Sequence, residues 1–171
     1  MVELKYLGLG NNKFASFISI NIKNLRNLKS LDLANLGLYG NIPSSFYSLT
    51  ELEYLDLQGN EFIGSLNADI GMLTRLYHLD LSNSSLSGEI PYNLYSLSKL
   101  QYLNLKNNKF NGSLSNGIGI LFIGGLNTDV GMMSRLSYLD LSNSSLSGSI
   151  PDGLYSLTKL QYLNLKNNNF D

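Results

Sequence analysis

The segment Leu-x-x-Leu-x-Leu recurs along the chain with a nearly constant step, and this repeat constrains the fold more than any other feature. It begins at Leu4, Leu28, Leu52, Leu76, Leu100, Leu136 and Leu160. The steps between successive starts are 24, 24, 24, 24, 36 and 24 residues. A period of about 20 to 29 residues predicts a solenoid in which each unit packs only on its neighbours.

Each repeated segment reads as a short β-strand with one buried face. Leucines alternate with polar residues, as in Leu79-Asp80-Leu81, and such a period of two places the leucines on one side of a strand. A three-residue strand cannot bury its apolar face alone, so we expect neighbouring strands to stack about 4.8 Å apart in a parallel sheet. The predicted core columns behind this sheet are Phe14, Leu38, Phe62, Leu86, Phe110, Leu146 and Phe170; Phe46, Ile70, Leu94 and Leu154; and Leu49, Leu73, Leu97 and Leu157.

An asparagine recurs where the chain turns out of each predicted strand. This position holds Asn12, Asn60, Asn108 and Asn168, with Leu36, Ser84 and Ser144 in the other complete units. We expect each buried amide to satisfy backbone groups of adjacent coils. Leu36 cannot do so, and its coil is predicted to be less well tied unless Asn35 or water compensates.

The clearest unit, LYHLDLSNSSLSGEIPYNLYSLSK over residues 76–99, resembles the plant-type leucine-rich repeat L-x-x-L-x-L-x-x-N-x-L-x-G-x-I-P. That repeat is typical of the ectodomains of receptor-like kinases and receptor-like proteins and of polygalacturonase-inhibiting proteins. The resemblance covers residues 1–171 and implies one leucine-rich repeat solenoid, an α/β-type superhelix. It implies short parallel strands on the concave face, 3-10 or irregular turns on the convex side, and an extracellular or cell-surface location.

The unit over residues 100–135 is irregular, with twelve extra residues and one strand lost. Residues 62–111 match residues 122–171 at an offset of 60, which is two and a half periods, with 37 identities in 50 positions. In one arrangement the strand around Leu103 pairs directly with that around Leu139 and the extra residues bulge. In the other, Ile118–Ile120 forms a makeshift strand. We favour the bulge, because 15 positions from Leu103 to Ile118 fall short of the roughly 20 that a coil needs. The run Ile118–Ile123 would then be an exposed apolar patch.

Two columns of polar side chains are predicted on the concave face. The first holds Tyr6, Ser30, Tyr54, His78, Tyr102, Tyr138 and Tyr162, and the second holds Gly8, Asp32, Asp56, Asp80, Asn104, Asp140 and Asn164, with Asn11, Asn35, Asn83, Asn107, Asn143 and Asn167 beyond them. Tyrosine anchors interfaces and can stack on sugar rings, but it is also a good strand residue. The candidate ligand contacts are Tyr54, Asp56, His78, Asp80, Tyr102, Asn104, Tyr138, Asp140 and Tyr162.

Composition excludes several classes of function. Twelve basic residues against thirteen acidic ones give no electrostatic case for binding nucleic acid or an anionic membrane. The chain has no cysteine, one histidine and no apolar run near the length of about 18 residues that spans a bilayer, so no cofactor, metal or membrane span is predicted. The first twenty residues show no legible signal peptide.

A catalytic role for the aspartate column is rejected. Asp56 and Asp80 should lie about 5 Å apart, which matches the carboxylate spacing of a retaining glycosidase. Such chemistry needs a buried carboxyl with a raised pKa, which we do not expect on an open concave strip. The spacing also continues to Asp32 and therefore follows from the repeat.

The sequence thus predicts a non-enzymatic recognition module that binds a protein, peptide or cell-wall glycan on its concave face. N-glycosylation motifs occur at Asn83, Asn111 and Asn143. His78 is a candidate for making binding pH-sensitive. The alternative is a truncated relic or structural fragment without a specific ligand, which the lost strand and the absence of cysteine-bearing caps favour.

Overall fold

The computed structural model describes residues 3–14, 20–114 and 133–171, and these form a leucine-rich repeat solenoid of short strands and 3-10 turns, which confirms the predicted fold. The strands are β1 (Tyr6–Gly8), β2 (Ser30–Asp32), β3 (Tyr39–Asn41), β4 (Tyr54–Asp56), β5 (Glu61–Ser65), β6 (His78–Asp80), β7 (Ser85–Gly88), β8 (Tyr102–Asn104), β9 (Lys109–Ser113), β10 (Tyr138–Asp140), β11 (Ser145–Gly148), β12 (Tyr162–Asn164) and β13 (Asn169–Phe170). The 3-10 turns are Ile20–Asn24, Ser44–Ser48, Ala68–Met72, Tyr92–Ser96 and Asp152–Ser156.

One strand from each repeat contributes to a seven-stranded parallel sheet on the concave face. Its order is β1-β2-β4-β6-β8-β10-β12, and equivalent residues of successive repeats are paired, as in Leu79 with Leu103. β8 pairs directly with β10, with Leu103 opposite Leu139, across the irregular unit. This pairing is the one that the first arrangement requires. The bulge itself, the strand at Ile118–Ile120 and the patch Ile118–Ile123 lie outside the described residues.

A second parallel sheet, which the sequence analysis did not predict, packs its buried side chains into the same core. Its six strands follow the order β13-β11-β9-β7-β5-β3. Leu86 is buried between two serines on β7, so the alternation that marks a strand is present there, but it spans only four residues. Short runs of this kind cannot be distinguished from irregular turns by pattern alone.

Most 3-10 turns begin directly after a proline, which explains their recurrence. Pro43, Pro91 and Pro151 occupy the preceding position with φ of −64°, −66° and −70°. The ring fixes φ near this value and so prepares the chain for the turn. Asn67 takes the same place before Ala68–Met72 and accepts a hydrogen bond from Asp69 N–H instead.

No helix in residues 3–14, 20–114 and 133–171 has the length and apolar character needed to cross a bilayer.

The predicted core columns are buried except at the two ends. The interior column residues Leu38, Phe62, Leu86, Phe110, Leu146, Phe46, Ile70, Leu94, Leu154, Leu49, Leu73, Leu97 and Leu157 are all buried. The prediction is wrong for Phe14, which is 52% exposed, and Phe170 is only half-buried. Both belong to terminal coils of the described solenoid, where one neighbour is lacking to cover the ring.

The asparagines at the end of the strand tie the coils together in pairs. Asn60 donates from Nδ2 to the carbonyl oxygens of Leu33 and Leu57, and its Oδ1 accepts from the N–H groups of Leu36 and Leu38. Each tie therefore reaches back to the preceding coil. Equivalent ties run from Asn108 to Leu81 and Leu86, and from Asn168 to Leu141 and Leu146.

The coil of Leu36 is consequently held by Asn60 of the next coil. The prediction that this coil has fewer bonds to its neighbours is wrong. It considered only the bonds that the Leu36 side chain can make and not those that Asn60 makes to this coil. The units with Leu36, Ser84 and Ser144 each receive an amide from the unit that follows, so the asparagine is needed only in alternate coils.

Candidate functional site

The first concave column forms a continuous stack of five aromatic rings. Parallel pairing in exact register places Tyr54, His78, Tyr102, Tyr138 and Tyr162 on neighbouring strands. Their ring centroids are 4.3, 4.2, 4.4 and 4.3 Å apart, and successive planes are inclined by 10°, 9°, 12° and 3°. We call this set the ring stack. Ser30 interrupts the column before Tyr6, which is 70% exposed and lies outside the stack.

The ring faces inside the stack are occupied by their neighbours. A centroid separation near 4.3 Å leaves no space for a sugar ring between them. A ligand on the concave face therefore meets ring edges and hydroxyl groups. The expectation that these tyrosine faces stack on a glycan is corrected accordingly.

The interior of the second column is buried beneath the ring stack, contrary to the open strip that the sequence suggested, while Asp32 and Asn164 nearer its ends are half-buried. Asp56, Asp80, Asn104 and Asp140 are each less than about a tenth exposed. In each of these residues Oδ1 accepts a hydrogen bond from the backbone N–H two positions further on, as Asp80 Oδ1 does from Ser82 N–H at 2.9 Å. This Asx-type bond satisfies the backbone at the point where the strand ends.

The remaining oxygens of these carboxylates bond to the ring stack and to the next strand. Asp80 Oδ2 accepts from the Tyr102 hydroxyl at 3.2 Å and from Asn104 Nδ2 at 2.9 Å. Asp140 Oδ2 makes the corresponding bonds to Tyr162 and Asn164. The burial that a catalytic carboxyl requires is thus present, but both oxygens of Asp80 are already engaged, so the aspartates support the surface from below.

Burial governs the ionisation of these groups. It raises the pKa of Tyr54 to about 12, with the charge of Asp56 adding to the shift. It also raises the pKa of Asp56, against hydrogen bonds from Gln58 that oppose the change. The pKa of His78 is lowered by burial, while Asp56 and Asp80 act in the opposite direction. Both shifts favour the uncharged forms of Tyr54 and His78.

A ladder of asparagine amides borders the ring stack where the strands end. These residues, at φ of 54–61°, are Asn11, Asn35, Asn83, Asn107, Asn143 and Asn167. Asn107 donates to Asn83, Asn143 to Asn107 and Asn167 to Asn143, each at 2.6 Å. Sequence reasoning identified the column but missed the ladder, for which a recurrent asparagine in the left-handed region was the available signal.

The three glycosylation motifs occupy two kinds of site. Asn83 and Asn143 belong to the ladder, and the Asn143 amide nitrogen is engaged with Asn107. Asn111 lies exposed on β9 in the second sheet, away from the ring stack. A glycan at Asn111 leaves the concave face open, whereas glycans at the other two would border it.

A further aromatic residue that the sequence analysis did not single out contacts the ring stack. The ring of Tyr77 lies 6.4 Å from that of Tyr54 and is 42% exposed. It precedes His78, one position outside the tyrosine column.

In the part of the chain that the structure describes, no three His, Asp or Glu side chains are grouped so as to hold a metal ion.

Comparison with known families and structures adds independent observations. The family model for a leucine-rich repeat region matches residues 1–116, and a second leucine-rich repeat model matches residues 122–170. Comparison with curated protein sequences finds no match.

Several solved plant receptor structures are similar along nearly the whole chain. The ectodomain of the Arabidopsis thaliana receptor kinase GASSHO1/SCHENGEN3, solved with CASPARIAN STRIP INTEGRITY FACTOR 2, has a TM-score of 0.89 at 35% identity over 99% of this chain. A TDR receptor has a TM-score of 0.89 at 34% identity over 98% of this chain. The Arabidopsis HAESA ectodomain, solved with an IDA peptide hormone ligand, has a TM-score of 0.87 at 30% identity over 98%. The match spans only 19%, 27% and 26% of those three chains, respectively.

Proposed function

The chain belongs to the leucine-rich repeat family, and from that premise we propose that it is a non-catalytic module that binds an extended peptide on its concave face. The similar HAESA ectodomain was solved with a peptide hormone ligand, which supports a peptide over other ligands. The same similarity supports an extracellular location. These properties belong to proteins several times longer than the matched region, so for this chain they remain part of the proposal.

The observation that carries the proposal is the ring stack. Five rings fixed face to face form a rigid ridge, so little side-chain freedom is left to lose when a ligand binds. The ridge presents ring edges beside hydroxyl oxygens, and an extended peptide offers both apolar side chains and backbone hydrogen-bonding groups to such a surface. Tyrosine is also a residue type that dominates interface energetics.

A glycan is the weaker candidate because the ring faces that would stack on it are covered. A glycan-cleaving enzyme is weaker still. The carboxylates of Asp80 and Asp140 are held by backbone N–H groups, amides and phenols, which leaves neither free to attack a substrate. Turnover of a glycan that is abolished by Asp80→Asn would overturn this interpretation.

Selection from a random peptide library on the immobilised 171-residue chain tests the proposal. Enriched peptides are expected to bind the wild type and to lose at least about tenfold in affinity for the double variant Tyr54→Ala/Tyr102→Ala, because anchor truncation typically costs more than 1 kcal/mol. The matched control is Tyr155→Ala, which removes a 77% exposed tyrosine from a 3-10 turn outside the ring stack. Its affinity is expected to equal that of the wild type.

The double variant must retain the circular dichroism spectrum of the wild type for its loss to be interpreted. If it unfolds, Tyr102→Phe provides the second variant, since it keeps the ring and removes only the hydroxyl bonded to Asp80. Enriched peptides that bind the concave variants and the wild type equally would show that the ring stack is not the binding surface.

A further inference from the structure

Four basic residues occupy the same position of consecutive coils along one edge of the concave face. Arg75, Lys99, Arg135 and Lys159 each directly precede the first leucine of a repeat. Strands β6, β8, β10 and β12 are adjacent in the sheet, so these positions follow one another at about the strand spacing of 4.8 Å. The twelve extra residues of the irregular unit do not separate Lys99 from Arg135 because β8 and β10 are paired.

Among the residues that the structure describes, only the first of these four cations forms an ion pair. Arg75 forms an ion pair with Glu51 at 2.5 Å, and the neighbouring pair Lys29–Glu53 is closed at 2.7 Å. Within residues 3–14, 20–114 and 133–171, no ion pair involves Lys99, Arg135 or Lys159, and all three are exposed. Glu53 exerts an attraction on Lys99 but is bonded to Lys29.

The three unpaired cations border two adjoining hollows. One, of about 370 Å³, is lined by Glu53, Arg75, Tyr77, Lys99, Gln101 and Arg135. The other, of about 620 Å³, is lined by Gln101, Arg135, Ser137, Thr158, Lys159, Leu160 and Gln161. Because Gln101 and Arg135 line both, the hollows form one trough, which we call the basic trough. It adjoins the ring stack through Tyr77, whose ring lies 6.4 Å from Tyr54.

Like charges at this spacing repel one another, and the repulsion is relieved when an anion binds between them. The chain as a whole is close to neutral, so the three cations are a local concentration of charge within a balanced protein. Lysine and arginine side chains are long enough to meet carboxylates that alternate along an extended peptide, where residues on one face are about 6.4 to 6.8 Å apart.

We propose that the basic trough binds acidic side chains of a peptide that lies along the ring stack. This inference rests on the proposed function and deepens it, because it assigns carboxylate-bearing residues to the part of the ligand beside Lys99, Arg135 and Lys159. The ring stack supplies apolar contact and the trough supplies charge, so the ligand is a peptide with aspartate or glutamate at alternate positions along this segment.

The test uses two acetylated and amidated octapeptides, one of alternating glycine and glutamate and one of alternating glycine and glutamine. We expect the 171-residue chain to bind the glutamate peptide at least about tenfold more tightly than the glutamine peptide, since each exposed ion pair contributes modestly and several act together. Its affinity should fall as salt rises from about 50 to about 200 mM because exposed charges are screened.

The triple variant Lys99→Gln/Arg135→Gln/Lys159→Gln is expected to lose about tenfold in affinity for the glutamate peptide. The matched control Lys23→Gln/Arg26→Gln/Lys109→Gln has the same net charge but changes exposed cations that line neither hollow, and it should bind like the wild type. All six side chains are exposed, so both variants are expected to fold.

Equal binding of the two octapeptides, or an equal loss in both triple variants, would overturn the acidic-ligand inference. Either result leaves the proposed function intact if library-selected peptides still depend on Tyr54 and Tyr102. Conversely, trough-dependent binding of the glutamate peptide, together with library-selected peptides that do not depend on Tyr54 and Tyr102, would support the trough and contradict the proposed peptide surface. The two proposals can therefore fail separately.

Discussion

The imidazole of His78 stacks on the phenol ring of Tyr102, with centroids 4.2 Å apart and planes inclined by 9°. Tyr54 covers its other face at 4.3 Å. His78 is thus the one member of the ring stack that can acquire a positive charge near neutral pH. The carboxylates of Asp56 and Asp80 favour that charge, but burial outweighs them and lowers its pKa.

The lowered pKa of His78 predicts that the fold weakens on mild acidification. The unfolded chain protonates this residue near its ordinary pKa of 6.5, whereas the folded chain does so only at a lower pH. Its contribution to the free energy of unfolding is therefore complete above about pH 6.5 and is lost as pH falls through the lowered pKa. Urea unfolding at several pH values between about 7 and 5 measures this loss.

His78→Tyr should remove that part of the pH dependence, since tyrosine occupies the equivalent position at Tyr138. Tyr138→His is the matched control and should add a second acid-sensitive group to the same stack. Asp56 acts in the opposite sense, because its raised pKa favours the fold at low pH and its contribution is lost as pH rises through that pKa. If the wild type and His78→Tyr weaken equally between pH 7 and 5, His78 is not the responsible group.

Asn60 is predicted to be far more important for stability than Ser84, which occupies the equivalent position one coil later. Asn60→Ala leaves the N–H groups of Leu36 and Leu38 and the carbonyl of Leu33 without their buried partner. We expect the free energy of unfolding to fall by about 3 kcal/mol, because each unsatisfied buried group costs about 1 to 3 kcal/mol and such costs are not additive.

Ser84→Ala removes only a 3.3 Å bond from the serine hydroxyl to Asn60 O. Its cost should stay within about 1 kcal/mol. Urea denaturation followed by circular dichroism compares the two variants. A similar loss in the free energy of unfolding for both variants would contradict the interpretation that one asparagine bonds to the backbone of two neighbouring coils.

The repeat allowed the concave sheet, its register and the interior core to be predicted, because the period of the leucines fixes which side chains meet. Exposure along that sheet could not be predicted in the same way. Asp80 and Tyr102 both point to the concave side, yet the tyrosine covers the aspartate, and this depends on side-chain length and hydrogen bonding rather than on alternation. The tie from Asn60 to Leu36 was missed because reasoning within one repeat does not reveal what the next repeat donates.

Gly59 interrupts the asparagine ladder, and we expect the protein to tolerate asparagine at this position. Its φ of +66° lies in the left-handed region, as do those of Asn35 and Asn83 in the neighbouring coils. A Cβ at this position would overlap Oδ1 of Asn35, an exposed amide that can rotate away. Gly59→Asn can then extend the ladder, so we expect its free energy of unfolding to remain within about 0.5 kcal/mol of the wild type.

Gly59→Ala displaces the same amide but gains no ladder bond and is strained at positive φ. It should therefore be less stable by about 1 to 2 kcal/mol. Thermal unfolding of both variants at one pH gives the difference. Alanine and asparagine variants of equal stability would mean that the ladder does not stabilise this edge of the sheet.

Both the ring stack and the basic trough cross from β8 to β10, so both require one unbroken concave sheet across the irregular unit. The backbone bonds across this junction include one from Leu105 N–H to Asp140 O at 2.8 Å and one from Tyr138 N–H to Gln101 O at 3.0 Å. The corresponding bonds of the preceding junction are made by the N–H groups of Leu81 and Tyr102.

Amide hydrogen exchange resolved by residue on the 171-residue chain tests this junction directly. We expect the amides of Leu105 and Tyr138 to be protected within about tenfold of those of Leu81 and Tyr102, because all four belong to one cooperative sheet. Exchange of Leu105 and Tyr138 at the rate of an unprotected chain, with Leu81 and Tyr102 still protected, would show that the sheet is broken there and that no continuous recognition surface exists.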